Sequence, residues 1–137
     1  MFDWEEFHLL ASDLLSQADN SEQKEAALRS VVSRAYYAAF HVADDYLQKT
    51  GKYPSTLGNN APAEGSHKRV IDVFIKNTAN PTWVEIGKGL RRLKDARQWA
   101  DYNSWDHTGI GEEFKNTKAI ALRIKSAEKI IKLIKSL

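Results

Sequence analysis

From about Glu22 to Lys49 the sequence keeps one helical period and stops just before Gly51, whose tolerance of positive φ suits a helix C-terminal cap. At 1.5 Å per residue this is a rod of about 40 Å. Along it Leu28, Val31, Val32, Ala35, Ala38, Ala39, Val42, Ala43, Tyr46 and Leu47 form a broad apolar face in which many side chains are small. Small side chains let a second backbone come close, so this segment is expected to be the central helix against which the others pack.

The rest of the chain falls into the same class. No alternating apolar and polar run lies between turn residues, and no Asn-Gly or Asp-Gly hairpin turn occurs. A first helix is expected from about Trp4 to Gln17, capped by Asp3, with Phe7, Leu10, Ala11, Leu14 and Leu15 at the spacing of one buried stripe. A third, His67 to about Asn77, is capped by Ser66 and buries Val70, Ile71, Phe74 and Ile75. A fourth, Trp83 to Tyr102, is capped by Thr82 and carries Ile86, Leu90, Leu93, Arg97 and Ala100 on one side. Gly87 and Gly89 each weaken it by about 1 kcal/mol relative to alanine. A fifth, Glu112 to Ser136, shows Ile120, Ile124, Ala127, Ile131 and Ile134 in alternating four- and three-residue steps, the seam pattern of a bundle. Lys52 to Gly65 and Asn103 to Gly111 have loop compositions. The expected fold is all-α: a helical bundle of four to five helices forming a single domain over residues 1–137, with the second helix against the fourth and fifth.

Composition removes several functions. The chain has no cysteine, which excludes disulfides, thiolate zinc sites and cysteine nucleophiles together and fits a reducing, cytoplasmic setting. No stretch approaches the roughly 20 apolar residues of a bilayer span, and the first residues lack the features of a signal peptide, so no membrane association is expected. His8, His41, His67 and His107 share no ligand spacing, and the Gly-x-Gly pairs at 87–89 and 109–111 follow no strand; no metal and no cofactor is expected. The net charge of +2 hides a division. The first 28 residues are acidic, whereas Lys88, Arg91, Arg92, Lys94 and Arg97, and the lysines from Lys115 onward, make a basic half able to meet phosphates.

Two constellations carry possible chemistry. In the long helix Ser30, Arg34, Tyr37 and His41 stand at steps of four, three and four, so all project from one face. An arginine beside an alanine-rich apolar face needs partners. Either the neighbouring Tyr and Ser hydroxyls satisfy it, or the strip binds anions, with Arg34 forming bidentate phosphate contacts and His41 exchanging a proton near neutral pH. In the fourth helix Arg97 and Asp101 stand four apart, the spacing of an intrahelical ion pair, and Arg97 shares its face with Leu93 and Ala100. Arg91, Arg92 and Lys94 flank it as a solvated, phosphate-facing edge. Trp99 faces away from Arg97 and is expected at a subunit or packing contact.

The string Ser-Arg-Ala-Tyr-Tyr-Ala-Ala-Phe-His at 33–41, Ser66-His67 after a long loop, and Arg97-x-x-Ala-Asp-Tyr at 97–102 resemble the small prokaryotic HEPN proteins, in order and length over nearly the whole chain. The resemblance implies a HEPN up-and-down helical bundle, commonly a homodimer, and an RNA-interacting role as a ribonuclease toxin, a defence component or the partner of an antitoxin or nucleotidyltransferase. Nuclease members carry an arginine followed, after four to six intervening residues, by a histidine at the dimer interface. Arg97 matches the arginine, but Tyr102, Asn103 and Ser104 occupy the histidine window, and His107 lies beyond it. Under this resemblance Arg97 would stabilise the scissile phosphate, with Tyr102, His41 or His67 handling the proton. Arg34, Tyr37, Asp101, Arg91, Arg92 and Lys94 would bind RNA or a nucleotide. The alternative is a non-catalytic nucleotide-binding or protein-interaction module.

Overall fold

The computed structural model describes residues 2–52, 66–103 and 110–137, and every regular element among them is helical. Five α-helices follow in chain order: α1 Glu5–Ala18, α2 Lys24–Thr50, α3 Ser66–Lys76, α4 Pro81–Tyr102 and α5 Thr117–Lys135, with a 3-10 helix at Ile110–Lys115 ahead of the last. Most of both expected loops, His107, and the side chain of the expected cap Ser66 lie outside the described residues.

The 27-residue α2 is the central rod. Ala35, Ala38, Ala39 and Ala43 are fully buried together with Leu28, Val31, Val32, Tyr36 and Leu47, so the face rich in small residues is the one that meets the other helices. α2 packs on α1, α4 and α5, while α3 sits chiefly on α4. At its end Gly51 takes φ +64°, and the Gly51 and Lys52 N–H groups return to Gln48 and Leu47 carbonyls, the left-handed cap expected from the sequence. Helix directions follow from contacts between ends. Arg29 near the start of α2 reaches the end of α4, and Tyr46 near the end of α2 meets Trp83 near the start of α4, so these two run antiparallel. Glu5 pairs with Lys135 at 2.7 Å, and Asp19 with Thr117, which makes α1 and α5 antiparallel as well.

One apolar core draws on all five helices and on Phe114 of the 3-10 turn. Each fully buried large side chain, such as Tyr36, Phe74 or Phe114, contributes about 1.5–3 kcal/mol by leaving water. Gly87 and Gly89 have a packing role that helix propensity does not reveal. A Cβ at Gly87 would lie 2.5 Å from Ile75 Cγ1 and 2.9 Å from the Ile75 backbone nitrogen, so the missing side chain is what lets α3 lie against α4.

Several local expectations are corrected. The fourth helix is capped by Asn80, not Thr82: the Asn80 carboxamide accepts the Thr82 and Trp83 N–H groups, and Pro81 takes the first helical position, where no N–H is needed. The fifth helix begins at Thr117, not Glu112, because Asn116 caps the Lys118 and Ala119 N–H groups and the preceding turn is 3-10. Leu10 is exposed; α1 buries Ala11 and Ala18 fully, with Phe7, Leu14 and Leu15 only half-buried beside them, so its buried stripe is rotated and narrower than expected. Asp3 does accept the Glu5 N–H at 3.0 Å, one residue ahead of the helix boundary. Among the described residues no helix is long and apolar enough to cross a membrane.

Candidate functional site

The polar strip of α2 opens onto a hollow of about 240 Å³ lined by Phe7 of α1, Ser30, Ser33, Arg34 and Tyr37 of α2, and Asp101 of α4. Helical spacing puts Ser30, Arg34 and Tyr37 on this wall; the antiparallel pairing of α2 and α4 brings Asp101 opposite them. Asp101 accepts a hydrogen bond from Ser33 Oγ at 3.3 Å and faces Arg97 Nη1 at 3.7 Å. Both contacts are long, so the carboxylate keeps accepting capacity for a further partner.

Arg97 is only 8% exposed, a burial that charged side chains reach only with compensation. Besides Asp101 its surroundings are aromatic: the guanidinium carbon lies 5.5 Å from the ring centroids of both Tyr36 and Tyr37, and 6.0 Å from Tyr102. Arg97 does not line the hollow. It stands behind Tyr37 and Asp101, which do. The Nε atoms of Arg34 and Arg97 are both buried without a hydrogen-bond partner. The Ser and Tyr hydroxyls of the strip therefore do not satisfy Arg34 at that atom.

The two histidines lie farther along the same side. His67, at the start of α3, stacks on Phe40 at 4.0 Å, and its Nδ1 is 2.7 Å from Tyr36 Oη. Tyr36 is fully buried, and burial holds its phenol pKa well above the ordinary value. The phenol and Nδ1 share one hydrogen bond; where the protonated phenol donates it, a neutral His67 carries its proton on Nε2. Burial, helped by the positive charges of Arg97 and Lys94, pushes the His67 pKa below the usual imidazole value, against the opposing pull of Asp44. His41 stacks on Trp4 at 3.7 Å with the rings nearly parallel, and burial lowers its pKa too, against Asp44 and Asp45. Both imidazoles are neutral at pH 7.

Of the residues singled out in the sequence, the structure brings Arg34, Tyr37 and Asp101 to one hollow, with Arg97 and His67 directly behind it and His41 6.2 Å from Tyr37. Lys94 joins through its effect on His67. Arg91 and Arg92 are exposed on α4 and do not line the hollow. Tyr102 is 76% exposed and borders a second, shallower hollow with Arg29 and Asn103. Trp99 packs half-buried on the core, the intramolecular form of the expected contact. The C-terminal lysines are largely occupied: Lys115, Lys129, Lys132 and Lys135 each pair with a glutamate.

The sequence reading missed Ser33, Tyr36 and Arg29. Ser33 and Tyr36 lie one position off the four-residue strip; the signal was the strip's own neighbours, since a helix face is wide enough to admit both. Arg29 Nη1 donates to the carbonyls of Trp99, Ala100 and Asn103, a long-range contact with no signature in local spacing. Among the described residues no group of three His, Asp or Glu side chains is placed to hold a metal ion. No family model matches the chain, and neither a curated protein nor a solved structure matches it.

Proposed function

We propose that this chain is a HEPN-type RNA-interacting protein that works as a homodimer and cleaves RNA without a metal, as a toxin or defence component does. The observation that carries this reading is under-neutralised positive charge. Two arginines, each with a buried and unpartnered Nε, stand around a single carboxylate that is itself 3.7 Å from the nearer guanidinium. An RNA strand, through its bases as well as its backbone, supplies the compensation that the protein does not.

In this reading the 2′-hydroxyl attacks the adjacent phosphorus and the bond to the 5′ oxygen breaks, leaving a cyclic phosphate and a free 5′-hydroxyl. Arg97, from behind Tyr37 and Asp101, balances the charge that develops on the phosphoryl oxygens, and Arg34 is left to hold the adjoining base. His41, neutral near pH 7, takes the 2′-hydroxyl proton, and the leaving oxygen takes its proton from water, beside which a neutral His67 acts only as a hydrogen-bonding group. Tyr102 stands exposed where HEPN nucleases carry their histidine, on the neighbouring hollow, with a ring face open for a base to stack.

Incubation of mixed RNA with the purified chain in the presence of a chelator tests the reading. Cleavage is expected, with loss of most activity in Arg97→Ala and a folded state checked by circular dichroism. Intact RNA with the native chain, or undiminished cleavage by a folded Arg97→Ala variant, refutes it. A second reading, a non-catalytic nucleotide-binding module partnering an antitoxin or nucleotidyltransferase, is favoured by one observation: Tyr102 and Asn103 fill the first positions of the histidine window, and the Asn103 carbonyl is tied up by Arg29. Salt-sensitive binding of RNA that stays intact is its signature.

A further inference from the structure

The hollow between α1, α2 and α4 has a lining that a bare phosphate does not suit. Arg34 offers donors only, Asp101 acceptors only, Ser30 and Ser33 hydroxyls of both kinds, and Phe7 and Tyr37 offer rings. A phosphate drawn to Arg34 meets the Asp101 carboxylate in the same space, and like charges there oppose each other. A ligand that satisfies both walls presents adjacent donors on one edge and adjacent acceptors on the neighbouring edge of one flat ring system, with a face for an aromatic ring.

We infer that this hollow is a binding site for a guanine base. The guanine N1–H and N2 amino group donate to the two oxygens of Asp101, whose contacts with Ser33 and Arg97, at 3.3 and 3.7 Å, leave accepting positions open. The O6 and N7 acceptors meet the terminal nitrogens of the Arg34 guanidinium, which lines the hollow. The base face lies on Phe7 or Tyr37, as unstacked bases do on aromatic side chains. No other common base fits both walls. Adenine has an amino group but no adjacent ring N–H, and uracil and cytosine each offer Asp101 a single donor site. Size agrees: about 240 Å³ is below the roughly 300–1,000 Å³ of sites that enclose drug-sized ligands, so the hollow takes a base and leaves sugar and phosphate outside. The inference rests on the RNA reading only for where the base comes from, since a free guanine nucleotide carries the same edge.

The test is equilibrium binding to the full chain at one salt concentration, followed by calorimetry, with GMP, IMP, AMP and UMP as probes. GMP is expected to bind roughly tenfold or more tighter than AMP or UMP, and IMP, which lacks only the 2-amino group, roughly tenfold weaker than GMP. Asp101→Asn narrows the gap between GMP and IMP, and Arg34→Ala weakens both. Because Asp101 also faces Arg97, the decisive comparison of GMP with IMP uses the unaltered protein. GMP binding no tighter than AMP or IMP overturns the inference. A second arm compares a uridine-only single strand with one carrying a single guanosine. Equal, salt-sensitive binding of both strands overturns the guanine site while leaving the RNA reading in place. Selective GMP binding with no binding of either strand supports the guanine site and removes the RNA reading.

Discussion

Gly87 and Gly89 sit two residues apart in α4, and the structure gives alanine opposite outcomes at the two. In a bare helix each replacement would gain about 1 kcal/mol. At Gly89 the new methyl would lie 2.9 and 3.0 Å from Cδ1 and Cγ1 of Ile130, the outer part of a side chain that can turn aside. Gain and crowding there nearly cancel, and Gly89→Ala stays within about 0.5 kcal/mol of the parent. At Gly87 the methyl meets the Ile75 backbone nitrogen at 2.9 Å and Phe74 Cβ at 3.1 Å as well as Ile75 Cγ1. A main chain has no rotamer to change, so α3 must move off α4, and overpacking of this kind costs about 1–3 kcal/mol or somewhat more. Net of the helix gain, Gly87→Ala is expected to lose on the order of 1–2 kcal/mol. Urea titration followed by circular dichroism reads this as a lower midpoint at unchanged slope. Because α3 carries His67, the same variant should also disturb the His67–Tyr36 hydrogen bond, visible as a shifted imidazole resonance. If Gly87→Ala is as stable as the parent, or Gly89→Ala is the worse of the pair, the claimed close approach of α3 and α4 is wrong.

Two further outcomes follow from the same contacts. Arg29→Ala removes charge-assisted bonds to three carbonyls and should lower stability by about 2 kcal/mol in thermal melts; a change under about 0.5 kcal/mol would mean water replaces the guanidinium without loss. His41 and His67 both have folded-state pKa values below the unfolded imidazole value of 6.5, so between the two values the unfolded chain binds more protons than the folded one. Their contribution to stability is complete above about pH 6.5 and is lost as pH falls through the lower folded values. Melts from pH 7.5 to 5 should show a decline that His67→Gln partly flattens, and identical profiles for parent and variant would contradict the assignment.

Element type was readable throughout, because helical periodicity extends over turns of chain and the alanine-rich face of α2 admits few partners other than helices. Element ends were less so. Thr82 and Glu112 were plausible starts by residue type, but Asn80 and Asn116 won because a carboxamide reaches two N–H groups at once and Pro81 forfeits nothing at the first helical position. Leu10 shows the limit of a stripe argument: α1 meets α2 through small Ala11 and Ala18, and a shift of part of a turn sends Leu10 to solvent. Within the site, Arg34, Tyr37, Arg97 and Asp101 were found by spacing along single helices. Ser33 as a partner of Asp101, Tyr36 as a partner of His67, and Arg29 needed the pairing of helices distant in sequence, which no local pattern encodes.

The Arg29 contact also offsets the electrical pole at which it acts. The last turn of any helix is a negative pole, its unshared carbonyls worth about half an elementary charge, and Asp101 in the last turn of α4 deepens it. Left bare, that end would turn a polyanion away. Arg29, itself 3.5 Å from Glu25, covers those carbonyls with a guanidinium, which weakens the repulsion that the end of α4 alone would exert on any anion.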